Sequence, residues 1–168
     1  MRLLGLDPGL RITGWGVIDA IDNRLHWVAD GIVTSDEKLS LSDRLAQLHR
    51  GVAAVIEHYQ PGEAAIEETF VNRNPASTLK LGQARGAVLA AAGLAGLPVS
   101  EYAPLLVKKS VVGSGQAAKQ QIGMMVRQLL PACQTGSEDA ADALAVAICH
   151  AHHRRHAGML LKLAGGRR

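Results

Sequence analysis

The sequence predicts an α/β domain built on a mixed five-stranded sheet flanked by helices. The first 34 residues hold three strand-like runs in series, which implies antiparallel neighbours. The remainder alternates helical and strand-like periodicity, which implies crossovers and parallel strands. A chain of 168 residues, 48% apolar, has the size of a single domain, and one of that length buries about two thirds of its unfolded surface without disulfides or a structural metal.

Each element has its own signal. Arg2 to Asp7 is an apolar run that ends in an acid and the turn pair Pro8-Gly9, so it reads as a buried strand delivering Asp7 at its C-terminal end. Strands follow at Thr13 to Asp19 and Leu25 to Thr34. From Ser42, a candidate N-cap, Leu45, Leu48, Val52, Val55, Ile56 and Tyr59 recur at helical spacing until Pro61-Gly62. Ala64 to Ile66 is a short buried strand ending in Glu67 and Glu68. Beyond the polar loop Val71 to Asn74, Pro75 takes a first helical position and an Ala/Leu/Gly-rich helix runs to about Gly96. Val99 to Tyr102 is the fifth strand. Pro104 and Gly113-Ser114-Gly115 bracket a basic loop, and a helix from about Ala117 to Leu130 ends at Pro131. The last helix starts near Ser137 and fades in the His/Arg-rich stretch after His150. Residues 1–156 are expected to form the domain and 157–168 a flexible basic tail.

Composition narrows the function classes. The apolar residues are interrupted too often for a membrane span of about 20 residues, and MRLLGLDPG lacks the apolar stretch of a signal peptide. Cys133 and Cys149 form no CxxC pair and suggest no disulfide framework, in keeping with a reducing cytoplasm. The net charge of +3 hides an asymmetry: residues 1–71 carry a balance of −5 and residues 72–168 one of +8. A cluster of carboxylates beside a surface that attracts polyanions would have this distribution, and so would scattered solvated faces.

Asp7 and Glu67 each stand where an apolar strand stops. If those strands are neighbours, both acids project into the crevice at the sheet's C-terminal edge, where open α/β sheets place their chemistry. Glu68 is equally placed by position alone. In SEDAADALAVAI, Asp139 and Asp142 are three apart and share a helix face, as do Glu138 and Asp142. Four carboxylates in one crevice repel one another unless neutralised, and hard divalent cations such as Mg²⁺ prefer oxygen ligands. Two such ions about 3.5 to 4 Å apart can activate water and stabilise the leaving oxygen of a phosphodiester. Capping of helices by acids is the ordinary alternative for any one of these residues.

Four segments, LLGLDPGLRITGWGVI, AIEETFVNRNPASTLKLGQARG, EYAPLLVKKSVVGSGQAAKQQIGMMVRQLL and EDAADALAVAICHAH, together resemble the RuvC family of bacterial crossover (Holliday) junction endodeoxyribonucleases over nearly the whole chain. The resemblance implies a ribonuclease H-like fold and a homodimer that nicks four-way DNA junctions symmetrically. It also implies two Mg²⁺ ions per site, with Mn²⁺ able to substitute, and a place beside the RuvA and RuvB branch-migration proteins in the cytoplasm. The family's acids fall on Asp7, Glu67, Asp139 and Asp142, which selects Glu67 over Glu68 and Asp139 over Glu138. Its lysines fall on Lys108 and Lys119, near the cut, where a cation stabilises the charge that builds at phosphorus. Phe70, the chain's only phenylalanine, falls on the aromatic that stacks at the opened junction centre; a buried loop anchor is the other reading.

Arg73, Lys80 and Arg85 are further candidates for phosphate contact, as are Lys109 and Arg127; such contacts make binding steeply salt-dependent. His150, His152, His153 and His156 include an i, i+4 pair but no zinc-binding frame, so they read as a solvated basic helix end. Gly82 and Gly86 suggest close helix packing, and in the resembled family this helix lies at the dimer interface. Three other readings compete: an ATP-dependent enzyme of the actin and sugar-kinase superfamily, suggested by DPGLRITGWG but needing two such domains; a junction-binding module without catalysis, which would be expected to lose acids; and another ribonuclease H-like nuclease acting on RNA or RNA/DNA hybrids.

Overall fold

The structure is a computed structural model that describes residues 1–22, 24–68, 74–114 and 119–165, with residues 119–120 and 155–165 described by their backbone. Five strands, β1 (Arg2–Asp7), β2 (Ile12–Ile21), β3 (Arg24–Thr34), β4 (Glu63–Glu67) and β5 (Val99–Tyr102), form one sheet in the order β3-β2-β1-β4-β5. β1, β2 and β3 pair antiparallel, whereas β4 is parallel to β1 and β5 to β4. The expected mixed sheet is therefore present, and its central strands are those that end in Asp7 and Glu67.

Helices cover both faces. On one side lie α1 (Leu41–Tyr59) and α2 (Pro75–Leu94), where Val52, Ile56, Val88, Ala91 and Ala92 pack on Leu4, Leu6, Ala64 and Ile66. On the other lie α3 (Pro104–Val112), α4 (Lys119–Leu129) and α5 (Glu138–Gly165), with Val107, Val111, Ile122 and Val126 joining Leu144 to Ile148 above Leu3 and Ala65. No helix among the described residues is long and apolar enough to cross a membrane.

Four local expectations change. α1 begins one residue after Ser40, whose hydroxyl accepts from the Asp43 amide at 3.2 Å; Ser40, not Ser42, is the N-cap. The stretch expected as a basic loop is α3. Pro104 starts it, Val107 and Val111 bury its i, i+4 stripe against α5, and Gly113 closes it at φ +79. α5 continues past His150 to Gly165 instead of fading. Gly82 and Gly86 make no close packing contact among the described residues, since a Cβ on either would meet none of them within 4 Å.

Candidate active site

Strand alternation decides which acids share a crevice. Along β1, Leu4 and Leu6 face α1 and α2, so Leu3, Gly5 and Asp7 face α5. Along β4, Ala64 and Ile66 face α1 and α2, so Glu63, Ala65 and Glu67 face α5. The two strands run parallel with Leu6 beside Ile66, and one further step brings Asp7 beside Glu67 on the α5 face. Both acids are half-buried. Glu68 belongs to the opposite alternation, is exposed, and its amide donates to the Tyr102 carbonyl at 2.9 Å.

The register of α5 on this face brings its N-terminus to the same place. A Cβ on Gly5 would lie 2.7 Å from the Ala147 amide nitrogen and against the Ala143 carbonyl, while one on Gly14 would lie on the Asp139 carbonyl. Gly14 is the antiparallel partner of Asp7. Two residues of strand advance about 6.6 Å and four residues of helix about 6 Å. Moving from Gly5 to Asp7 thus corresponds to moving from Ala143 to Asp139, with helix and strand antiparallel. Asp139 and Asp142 are half-buried at this end, whereas Glu138 is exposed. The positive end of the α5 dipole also lies here, where it favours carboxylates, and the Ser137 hydroxyl caps the Ala140 amide at 3.4 Å. An open cleft of about 270 Å³ continues from Asp142 past Glu138 and Ser137 to Arg127 of α4.

Residues outside the acidic set hold the loop that follows Asp7, and the sequence reading missed them. Thr13, 0% exposed, donates to the Gly9 carbonyl at 2.9 Å and accepts from the Gly9 amide at 3.3 Å. The Ser35 hydroxyl donates to the Leu10 carbonyl, and Arg44 reaches both Ser35 and that carbonyl at 3.0 and 3.4 Å. Only the turn chemistry of Pro8-Gly9 signals this loop in the sequence. The partners come from β2, the end of β3 and α1, and no local pattern links them.

The basic candidates separate by environment. Lys80 and Lys109 are exposed, Lys108 is half-buried on α3, and Arg127 is exposed beside the cleft. Arg85 is turned to the sheet, where it contacts the Glu67 carbonyl and Glu101. Lys119 opens α4, with only its backbone described. Phe70 and Arg73 lie outside the described residues.

The middle of α5 corrects the reading of His150 as part of a solvated helix end. His150 is 4% exposed, with Nε2 2.9 Å from the Glu63 carboxylate and Nδ1 2.9 Å from the Tyr102 hydroxyl. Arg154 grips the same carboxylate with two bonds of 2.8 Å. Hydrogen bonding from Arg154, ahead of that from His150, holds Glu63 below the usual carboxylate range. Burial pushes the imidazole below its ordinary value despite the carboxylate beside it. This network anchors α5 at the N-terminal end of β4, one strand length from Glu67.

The donor set at the other end is entirely carboxylate, the chemistry suited to a hard divalent cation. As the side chains stand, no three His, Cys, Asp or Glu residues among those described are gathered closely enough to hold one ion. What the backbone provides is four acids directed to one end of the sheet from β1, β4 and the first turns of α5.

Comparison with known proteins covers this whole frame. A family model described as crossover junction endodeoxyribonuclease RuvC matches residues 3–150. A protein of that description from Rhodospirillum rubrum is 67% identical, covering 100% of both chains. Another from Paramagnetospirillum magneticum is 68% identical over 92% of this chain and 93% of its own. Among solved structures, T. thermophilus RuvC in complex with Holliday junction substrate superposes with a TM-score of 0.87 at 34% identity, covering 94% of this chain and 96% of that one. The fold is ribonuclease H-like, as the resemblance implies. Because the matched region runs from β1 through the first half of α5, the chain belongs to the RuvC family of crossover junction endodeoxyribonucleases.

Proposed function

We infer that this chain is a structure-selective endonuclease that resolves four-way DNA junctions by hydrolysing phosphodiesters, and that Asp7, Glu67, Asp139 and Asp142 form its metal-binding acidic set. The observation that carries the assignment of residues is the shared register. Parallel pairing sets Asp7 beside Glu67, and the approach of α5 over Gly5 and Gly14 sets Asp139 beside Asp7's strand partner. These four acids would hold two Mg²⁺ ions, or Mn²⁺ in their place. Ions held there would supply Lewis acidity for in-line attack by water and for departure of the 3′ oxygen, the chemistry that gives a 5′-phosphate and a 3′-hydroxyl.

The rest of the chemistry belongs to the chain's own groups. Lys119, with Lys108 on the neighbouring helix, supplies positive charge where negative charge grows at phosphorus, an interaction stronger in the transition state than in the ground state. Phe70 offers a flat apolar face to an unstacked base. Lys80, Arg73 and Lys109 contribute phosphate contacts that set affinity and its dependence on salt. Arg85 is a weaker candidate for that role, given where its guanidinium is directed.

A four-way junction with two-fold symmetry is cut symmetrically by two identical sites related by the same axis, which a C₂ homodimer supplies. The exposed stripe of α2 supports pairing there: Leu79 is 65% exposed, and Gly82 and Gly86 leave space for a second backbone. In the cytoplasm, RuvA and RuvB are the expected partners in branch migration.

A nicking assay tests the reading. A four-way junction should be cut in the presence of Mg²⁺, while a linear duplex and an RNA/DNA hybrid should not. Asp7→Asn should bind the junction and leave it intact. Cleavage by that variant, or preferential cleavage of the hybrid, would overturn the assignment.

A further inference from the structure

Arg85 lies on α2, between Ala84 and Val88, residues in the core under β4. Its guanidinium is divided between two acceptors. Nε donates to the backbone carbonyl of Glu67 at 3.3 Å, and Nη2 pairs with the carboxylate of Glu101 on β5. The side chain is 17% exposed and the Glu101 carboxylate 50%. The cation is thus turned inward on the sheet, with a protein carboxylate answering its charge.

The carbonyl it holds is that of the proposed active-site acid. Glu67 ends β4, where the ladder has one amide left to give: the Glu68 amide bonds to Tyr102. That amide and the Glu67 carbonyl belong to one peptide plane, held at one edge by Tyr102 and at the other by Arg85; with only one edge held, the plane can tilt and the strand end that carries Glu67 is less firmly placed. A guanidinium fork fixed by both the core helix and the neighbouring strand is suited to prevent it.

We propose that Arg85 is a positioning residue for cleavage, orienting Glu67 through its carbonyl and Glu101, and that it is not a phosphate contact. The proposal rests on the reading of Glu67 as a member of the acidic set. It also gives α2, which carries exposed Lys80 on another part of its surface, a direct mechanical link to the end of the central strands.

The two roles predict opposite results for substitutions at Arg85 and Glu101. Arg85→Gln, Arg85→Lys and Glu101→Gln would be compared with the parent chain in two assays. One is junction affinity across a salt series with Ca²⁺ replacing Mg²⁺; the other is the single-turnover cleavage rate across a Mg²⁺ series. Positioning predicts that Arg85→Gln slows cleavage by about 10- to 100-fold, the usual effect of losing a group that orients a metal-binding side chain. The Mg²⁺ requirement should rise, and affinity and salt slope should stay as in the parent. Arg85→Lys should restore little, because a point charge cannot divide itself between the two acceptors, and Glu101→Gln should slow cleavage without tightening binding.

A phosphate contact predicts weaker binding for Arg85→Gln with a salt slope reduced by about 1, near-normal binding for Arg85→Lys, and tighter binding for Glu101→Gln. That pattern overturns the proposal, as does a lower melting temperature with an unchanged rate and Mg²⁺ requirement. If Arg85→Gln does not fold, the other two variants decide by the same criteria. Glu67→Gln is measured in parallel. If it is inactive while Arg85→Gln cleaves normally, only the positioning role fails; if it cleaves normally, the acidic-set reading and the positioning role fall together.

Discussion

Gly14 on β2 and Asp139 at the start of α5 meet backbone to backbone, leaving no room for a Cβ on the glycine. Gly14 is also the strand partner of Asp7. One contact therefore sets the height of the α5 N-terminus above the sheet and the separation between acids from opposite ends of the chain. Gly5 repeats the arrangement one turn along the helix, against Ala143 and Ala147.

Substitution at Gly14 should uncouple folding from activity. Gly14→Ala must lift the first turn of α5 or bend β2, and overpacking of this kind costs about 1–3 kcal/mol. The domain should survive that loss while cleavage falls by far more than the unfolded fraction accounts for, because the displaced turn carries Asp139 and Asp142. Denaturant unfolding together with single-turnover cleavage checks this. A variant that cleaves at the parent rate would show that the spacing of α5 is not critical.

Phe70 tests the proposed contact with DNA. Stacking of an aromatic on an unpaired base contributes about 1–3 kcal/mol. Phe70→Ala should therefore slow cutting of an intact junction by roughly tenfold to a hundredfold, and much less when mismatches already open the centre. Equal losses on both substrates would identify Phe70 as a packing residue of its loop.

The β-strands, and the placing of acids at their ends, were legible in the sequence because those signals are local, whereas the choice of Glu67 over Glu68 and of Asp139 over Glu138 came only from the family resemblance. An apolar run that stops at Asp7 before Pro8-Gly9, and another that stops at Glu67, need no knowledge of the rest of the chain. α3 has an equally local signal, Pro104, Val107, Val111 and Gly113 at first-turn, core, core and C-cap positions, but Lys108 and Lys109 give the same stretch the composition of a basic loop. The environments of His150 and Arg85 were not legible. Each depends on residues from a different strand, Glu63 and Tyr102 in one case and the Glu67 carbonyl and Glu101 in the other. A histidine in a run of His and Arg looks solvated until the packing of α5 buries it.

Lys119 should act on rate more than on affinity. Its proposed role is to oppose charge that develops at phosphorus, and removal of one preorganised donor of that kind slows catalysis by about a hundredfold or more. Lys119→Ala should show that loss under single-turnover conditions with nearly unchanged junction affinity in Ca²⁺. Lys80→Ala should do the reverse, weakening binding with a smaller salt slope and leaving the rate at saturation unchanged. A pure affinity loss for Lys119→Ala would remove it from the chemistry.

The His150 network makes stability sensitive to acid. Glu63, held below the usual carboxylate range, can only accept, which assigns a proton to Nε2; burial disfavours a second proton on the ring, so Nδ1 is assigned as the acceptor of the Tyr102 hydroxyl, which burial keeps protonated. Burial lowers the folded imidazole's affinity for protons, with Glu63 opposing this and Arg154 and His153 adding to it. Below the ordinary histidine value of 6.5 the unfolded chain takes up a proton that the folded chain refuses, so stability falls with falling pH. Glu63 acts with the same sign lower down: the unfolded carboxylate takes up a proton near 4.5 while the folded one stays ionised, and stability is lost as pH drops toward its lowered folded value. Urea unfolding between pH 8 and 5 should show a decline beginning at about pH 6.5. His150→Phe should flatten that decline and lower stability at pH 8 by about 1–3 kcal/mol, since Tyr102 and Glu63 each lose a partner. A parent curve that is level over this range, or one that His150→Phe leaves unchanged, would show that the buried imidazole does not govern the anchoring of α5.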